Sequence, residues 1–141
     1  MQIIPLQPQH LDEIKQLYLE SRLATFTWLD TSLFELSDFE RETEGEDIWV
    51  ACESNEVLGF ISIWAPDSFI HHLYVKPSNL RIGIGLTLLN FAKQHYSHLS
   101  LKCFTQNSRA IDFYLAQGFT VGERVDKAAE SYYVMHCASS L

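Results

Sequence analysis

Hydrophobic and polar positions change period several times along this chain, and each change marks an element. Gln2 to Leu6 alternates as a short strand. Pro8 then opens a stretch with Leu11, Ile14, Leu17 and Tyr18 at helical spacing. Ser32 and Glu35 match a capping box, which predicts a second helix with Leu33, Leu36 and Phe39 on its apolar face. The segment Leu23 to Leu29, with Phe26 and Trp28, fits neither period. Ile48 to Cys52 and Val57 to Trp64 read as strands joined at Ser54-Asn55, a pair suited to a tight hairpin because Asn tolerates left-handed backbone angles. Pro66 ends the second of them, and Phe69 to Val75 is the next strand. A helical pattern carrying Leu88, Leu89, Phe91 and Ala92 runs from Ile84 to about Tyr96, followed by a strand from Leu99 to Phe104. Asn107 is placed to cap a further helix that buries Ala110, Ile111, Tyr114 and Leu115 and stops at Gly118. Phe119 to Val125 and Tyr132 to His136 close the chain as strands. The order predicts one mixed α/β domain over residues 1–141, with a strand–helix–strand–helix unit in its second half.

Composition narrows the function classes. A chain of 141 residues, 47% hydrophobic and 20% charged, is long enough for a real core and ordinary in polarity. No apolar run reaches the ~20 residues that span a bilayer, and the first residues lack the basic and apolar regions of a signal peptide. Cys52, Cys103 and Cys137 lie far apart without metal-ligand spacing, so reduced thiols in a cytoplasmic protein and no bound metal are expected. The net charge of -8 is unevenly spread. Residues 1–67 hold 14 of the 18 acids, which argues against nucleic acid as a partner. From Ser68 to Ile111 there is no Asp or Glu, yet Lys76, Arg81, Lys93, Lys102 and Arg109 all fall there. An acid-free window in an acidic chain points to a local anion site.

That window contains Gly83-Ile84-Gly85 between a strand and a helix. A glycine turn feeding a helix N-terminus is a seat for phosphate, because its main-chain N–H groups are free and glycine lets the ligand come close. The third glycine of a dinucleotide fingerprint would fall at Leu88, and no Gly-Lys-Ser/Thr follows, so neither of those nucleotide motifs is present. Val75-x-Pro77, Gly83-Ile84-Gly85 and Leu88-Leu89 together resemble the acyl-CoA-binding segment of the GNAT superfamily of N-acetyltransferases. Asn107-x-x-Ala110-x-x-Phe113-Tyr114-x-x-x-Gly118-Phe119 is similar to the second signature of that family, in the family's order. One departure stands out: three positions before the first glycine, where the family usually carries Gln or Arg, this chain has Leu80, with Arg81 next to it.

The resemblance implies a central, mostly antiparallel mixed sheet of about seven strands with about four flanking helices, and transfer of an acetyl group from acetyl-CoA to a primary amine. It implies CoA contacts from Leu73, Tyr74 and Val75, from Arg81, Ile82, Gly83, Ile84, Gly85 and Leu86, and from Asn107, Ala110, Phe113 and Tyr114. Lys76 and Arg109 are further phosphate partners in this reading. Such a transfer needs an amine stripped of its proton, donors for the carbonyl oxygen and a proton for the departing thiolate. Tyr114 stands where the family places the acid, and His71 where it often places the base. Adjacent strand residues point to opposite faces, so without a bulge only one of His71 and His72 faces the acceptor. Asp67, a Glu of the first half or an ordered water are the alternatives to a direct His71 base. The acceptor pocket is expected among Phe26, Trp28, Phe34, Trp64, Tyr132 and Tyr133, and the amine is that of a small molecule or a protein. Cys103 has no matched His, so direct attack is expected rather than an acyl-enzyme. No membrane or nucleic-acid partner is expected, and the chain is read as a monomer or homodimer. The opposing readings are a non-catalytic acyl-CoA-binding module and a nucleotide-binding domain of another kind.

Overall fold

The computed structural model describes residues 1–77 and 83–137. Among these the order is β1 (Gln2–Pro5), α1 (Leu11–Thr25), α2 (Asp38–Glu42), β2 (Asp47–Glu53), β3 (Glu56–Trp64), β4 (Phe69–Val75), α3 (Ile84–His95), β5 (Ser100–Phe104), α4 (Ser108–Ala116), β6 (Thr120–Val125) and β7 (Tyr132–His136). The seven strands form one sheet in the order β1-β2-β3-β4-β5-β7-β6. Every pairing is antiparallel except β4 with β5. Sheet and helices agree with the expected architecture.

Two apolar layers cover the sheet. On one face, Ile14, Leu17 and Tyr18 of α1 and Phe39 of α2 pack against Val50, Val57 and Phe60. On the other, Ile84, Leu88, Leu89 and Ala92 of α3 pack against Ala51, Leu58, Ile61, Ile63 and Ile70. β3 lies between both layers, which is why its sequence is an almost unbroken apolar run rather than an alternation. Ser54 and Asn55 both take positive φ, as the hairpin reading requires.

Two expectations fail. No helix starts at Ser32: Leu33 is 84% exposed, Leu36 is exposed, and only Phe39 is buried, inside a short helix that begins at Asp38. Carboxylates have captured the main-chain amides that a capping box would use. Asp30 Oδ1 accepts the Ser32 N–H at 3.0 Å, and Asp38 Oδ2 accepts the Glu35 N–H at 2.9 Å. Leu115 is also exposed, because α4 covers the sheet with Ala110, Ile111, Phe113 and Tyr114 instead.

The feature that makes a site is the parting of β4 and β5. Their register covers only Phe69↔Ser100 and Ile70↔Leu101. Beyond Ile70 the strands diverge, and β4 keeps only β3 as a neighbour. Lys76 N–H donates to the Leu58 carbonyl at 2.8 Å, so by the two-residue period of the ladder Tyr74 also turns its polar groups to β3. Leu73 and Val75 therefore turn theirs into the gap, where Ser21 Oγ–H of α1 reaches the Val75 carbonyl at 3.2 Å.

Candidate active site

The gap opens into a cleft of about 1400 Å³. At its head stands the N-terminus of α3. Gly83 takes φ 81, a left-handed value that a side chain opposes, and it offers no side chain to the first amides of the helix. There is no acid in that first turn. Among the described residues a Cβ on Gly85 would meet only Val75 and Phe113, at 3.6 and 3.9 Å, so their packing does not require glycine there. Its smallness leaves space at the mouth of the cleft.

Of the residues singled out from the sequence, His71, Leu73, Tyr74, Val75, Gly83, Ile84, Gly85, Leu86, Asn107, Ala110, Phe113 and Tyr114 all line this one cleft. Arg81 and Ile82 lie outside the described residues. Arg109 is at the cleft, whereas Lys76 is tied to Glu56 at 2.7 Å and does not line it. Phe26, Trp28, Phe34 and Tyr132 belong to the wall; Trp64 and Tyr133 do not, since Trp64 lies near Gly45 and Tyr133 faces Arg124. Phe26, Trp28 and Phe104 form an edge-to-face cluster, and the Trp28 indole N–H reaches across to the Ala129 carbonyl at 3.1 Å.

Tyr114 is held by the rings of Phe113 and Phe119, at 5.3 and 5.4 Å. Burial, with Cys103 and Tyr74 close by, pushes its ionisation well above the usual tyrosine range, so it keeps its proton. No hydrogen bond joins its hydroxyl to another described residue, and among those residues no buried side-chain oxygen or nitrogen is left without a partner. Burial also pushes the Cys103 thiol up to about 11, which leaves it protonated and a poor nucleophile.

Both histidines line the cleft, against the simple alternation of a strand. The register explains this. Ser62 pairs with His72 but Ile63 pairs with Ile70, so His71 is an extra residue in β4 and forms a bulge. The two rings then sit 4.2 Å apart. His72 Nε2–H donates to the Glu42 carbonyl at 3.2 Å. Burial, then the neighbouring His71, pushes His72 down to about 3, so it stays neutral. His71 Nδ1 meets Glu46, which also receives the Ser62 hydroxyl. Glu46, His71 and His72 bring possible ligand atoms within 4.8 Å of one another. Nδ1 of His71, Nε2 of His72 and both Glu46 oxygens are engaged in the hydrogen bonds just described, so the group is read as a hydrogen-bond cluster.

Sequence reasoning missed the polar floor beneath the aromatic wall. Arg22 is buried between the Tyr18 and Phe34 rings, at 3.9 and 4.5 Å, and donates to Asp38 at 3.1 Å. Tyr18 donates to Glu42. A lone Arg on an otherwise amphipathic helix was the available signal.

The split between β4 and β5, the N-terminus of α3 and Tyr114 thus share one cleft, with main-chain donors suited to an anionic ligand. Residues 11–119 match the model of the acetyltransferase (GNAT) family, and the chain belongs to that family. Over 73 residues it is 40% identical to the peptidyl-lysine N-acetyltransferase YiaC of Escherichia coli, an alignment covering 52% of this chain and 49% of that protein, about half its length. The fold is also that of the PaiA N-acetyltransferase of Thermoplasma acidophilum in complex with coenzyme A, with TM-score 0.78, 21% identity, and 98% and 99% of the two chains covered. The ribosomal-protein-alanine N-acetyltransferase of Brucella melitensis gives TM-score 0.75 at 19% identity, with 98% and 99% covered.

Proposed function

We propose that this protein transfers the acetyl group of acetyl-CoA directly to a primary amine of a protein. The observation that carries this reading is the open N-terminus of α3 at the head of the split between β4 and β5. The N–H groups of residues 83–86 hold the diphosphate, and the helix dipole adds to that attraction. Leu73 and Val75 offer main-chain groups to the pantetheine arm and the thioester carbonyl. Asn107, Ala110 and Phe113 flank the arm. Tyr114 gives its proton to the departing sulfur, and His71 takes the proton of the incoming ammonium.

No covalent enzyme intermediate is needed, in keeping with the protonated Cys103. The acceptor enters along the aromatic wall of Phe26, Trp28, Phe34 and Tyr132, whose rings suit the aliphatic stem of a lysine. The relative named for peptidyl-lysine acetylation supports a lysine acceptor over a small amine.

Acetyl-CoA mixed with lysine peptides and small amines, followed by free thiol release, tests this. Release stimulated by the peptides is expected, and Tyr114→Phe should lower kcat by roughly 10²-fold or more, the usual worth of a general acid. Stabilisation by CoA with no amine-stimulated release would overturn the proposal in favour of a binding module.

A further inference from the structure

Beside His71 stands a carboxylate that no motif marks. Glu46 lies on the turn between α2 and β2, held by its N–H to the Thr43 carbonyl at 3.0 Å. Its side chain is only 7% exposed, while that of His71 is 45% exposed. One oxygen of Glu46 receives the fully buried Ser62 hydroxyl, and the other meets His71 Nδ1. A carboxylate can only accept, so Nδ1 carries the proton and the lone pair of His71 is on Nε2. Among the described residues nothing hydrogen-bonds Nε2 of His71, whereas Nε2 of His72 is spent on the Glu42 carbonyl. The bulge is what brings His71 to the cleft within reach of both Glu46 and an acceptor.

We propose that Glu46 is a positioning residue: it fixes His71 in the Nδ1–H form, anchored by Ser62, and aims Nε2 at the acceptor amine. This rests on the reading of His71 as the base. Nε2 takes one proton from the ammonium, and the freed nitrogen attacks the thioester carbon. The C–S bond breaks and the sulfur takes the Tyr114 proton. The second proton leaving nitrogen restores Tyr114, and the imidazolium, stabilised meanwhile by the carboxylate, releases its proton to water. One amide, one thiol and one proton result.

Glu46→Gln should lower kcat roughly tenfold, a fraction of the 10²–10⁴ a base supplies, with KM for acetyl-CoA unchanged. In a His71→Ala background the same change should cost nothing further, which a purely structural role would not reproduce. Full turnover by His71→Ala would overturn the base reading itself. A slow His71→Ala beside a fully active Glu46→Gln would overturn the positioning role alone. A readout independent of variant folding is the ¹⁵N signature of the imidazole in the unaltered protein at alkaline pH. An Nδ1–H form at His71 is expected, and an Nε2–H form contradicts the proposal.

Discussion

Helix α4 opens on Asn107, whose Oδ1 accepts the Ala110 N–H at 3.2 Å; helix α3 opens on Gly83 and, among the described residues, receives no side-chain cap. Both helices face the same cleft, and the first turns of both lack acids. The first amides of any helix need an acceptor, from its own chain, from water or from a ligand. One helix supplies its own and gains stability from it. The other leaves its donors bare and so becomes a place where an anion gains what a cap would otherwise gain. On the proposed reading, the helix end without its own side-chain cap is the one that takes the diphosphate.

The largest effect should come from giving α3 a cap-like charge. Gly85→Asp has room for its Cβ, and a carboxylate in the first turn favours the free helix by about 0.3–1 kcal/mol. The same charge repels a diphosphate. Calorimetry should find CoA affinity reduced roughly 100-fold or more, about 2.7 kcal/mol, with the melting temperature of the free protein kept or raised. Unchanged CoA affinity would break the comparison.

Acid probes the opposite case, a buried group satisfied by its own chain. His72 is neutral when folded, with its pKa held near 3, and its unfolded value is about 6.5. Above that value its contribution is intact. As pH falls the unfolded chain takes up a proton that the folded chain refuses, so stability drops by at most about 1.4 kcal/mol per pH unit. Urea melts at about pH 7 and about pH 5 should show a smaller loss for His72→Gln than for the parent. Equal losses would remove His72 from the account.

Gly83→Ala meets no atom of a described residue within 4 Å, so its φ of 81 sets the expectation, a cost of about 1–2 kcal/mol in thermal melts. Asn107→Ala should cost about 1 kcal/mol, the worth of a cap, while CoA affinity falls far less than for Gly85→Asp. If Asn107→Ala instead abolished CoA binding with no change in stability, the roles of the two helix ends would have to be exchanged.

Much of this contrast was legible in the sequence because it is local. The span Phe69 to Val75, the start of α3 at Ile84 and the cap at Asn107 follow from neighbours a few residues apart, and all three agree with the structure. What depended on distant partners was not legible. The bulge at His71 exists only in register with Ser62 and Ile63, and Glu46 reaches His71 across 25 residues of chain. The Ser32 capping box was overruled by Asp30 and Asp38, the latter held in place by Arg22 from another helix.

The central claim is tested most directly by a crystal structure with CoA bound. The account predicts diphosphate oxygens within about 2.7–3.2 Å of main-chain nitrogens of residues 83–86, with the sulfur end directed between β4 and Tyr114. A diphosphate lodged away from the first turn of α3 would contradict it.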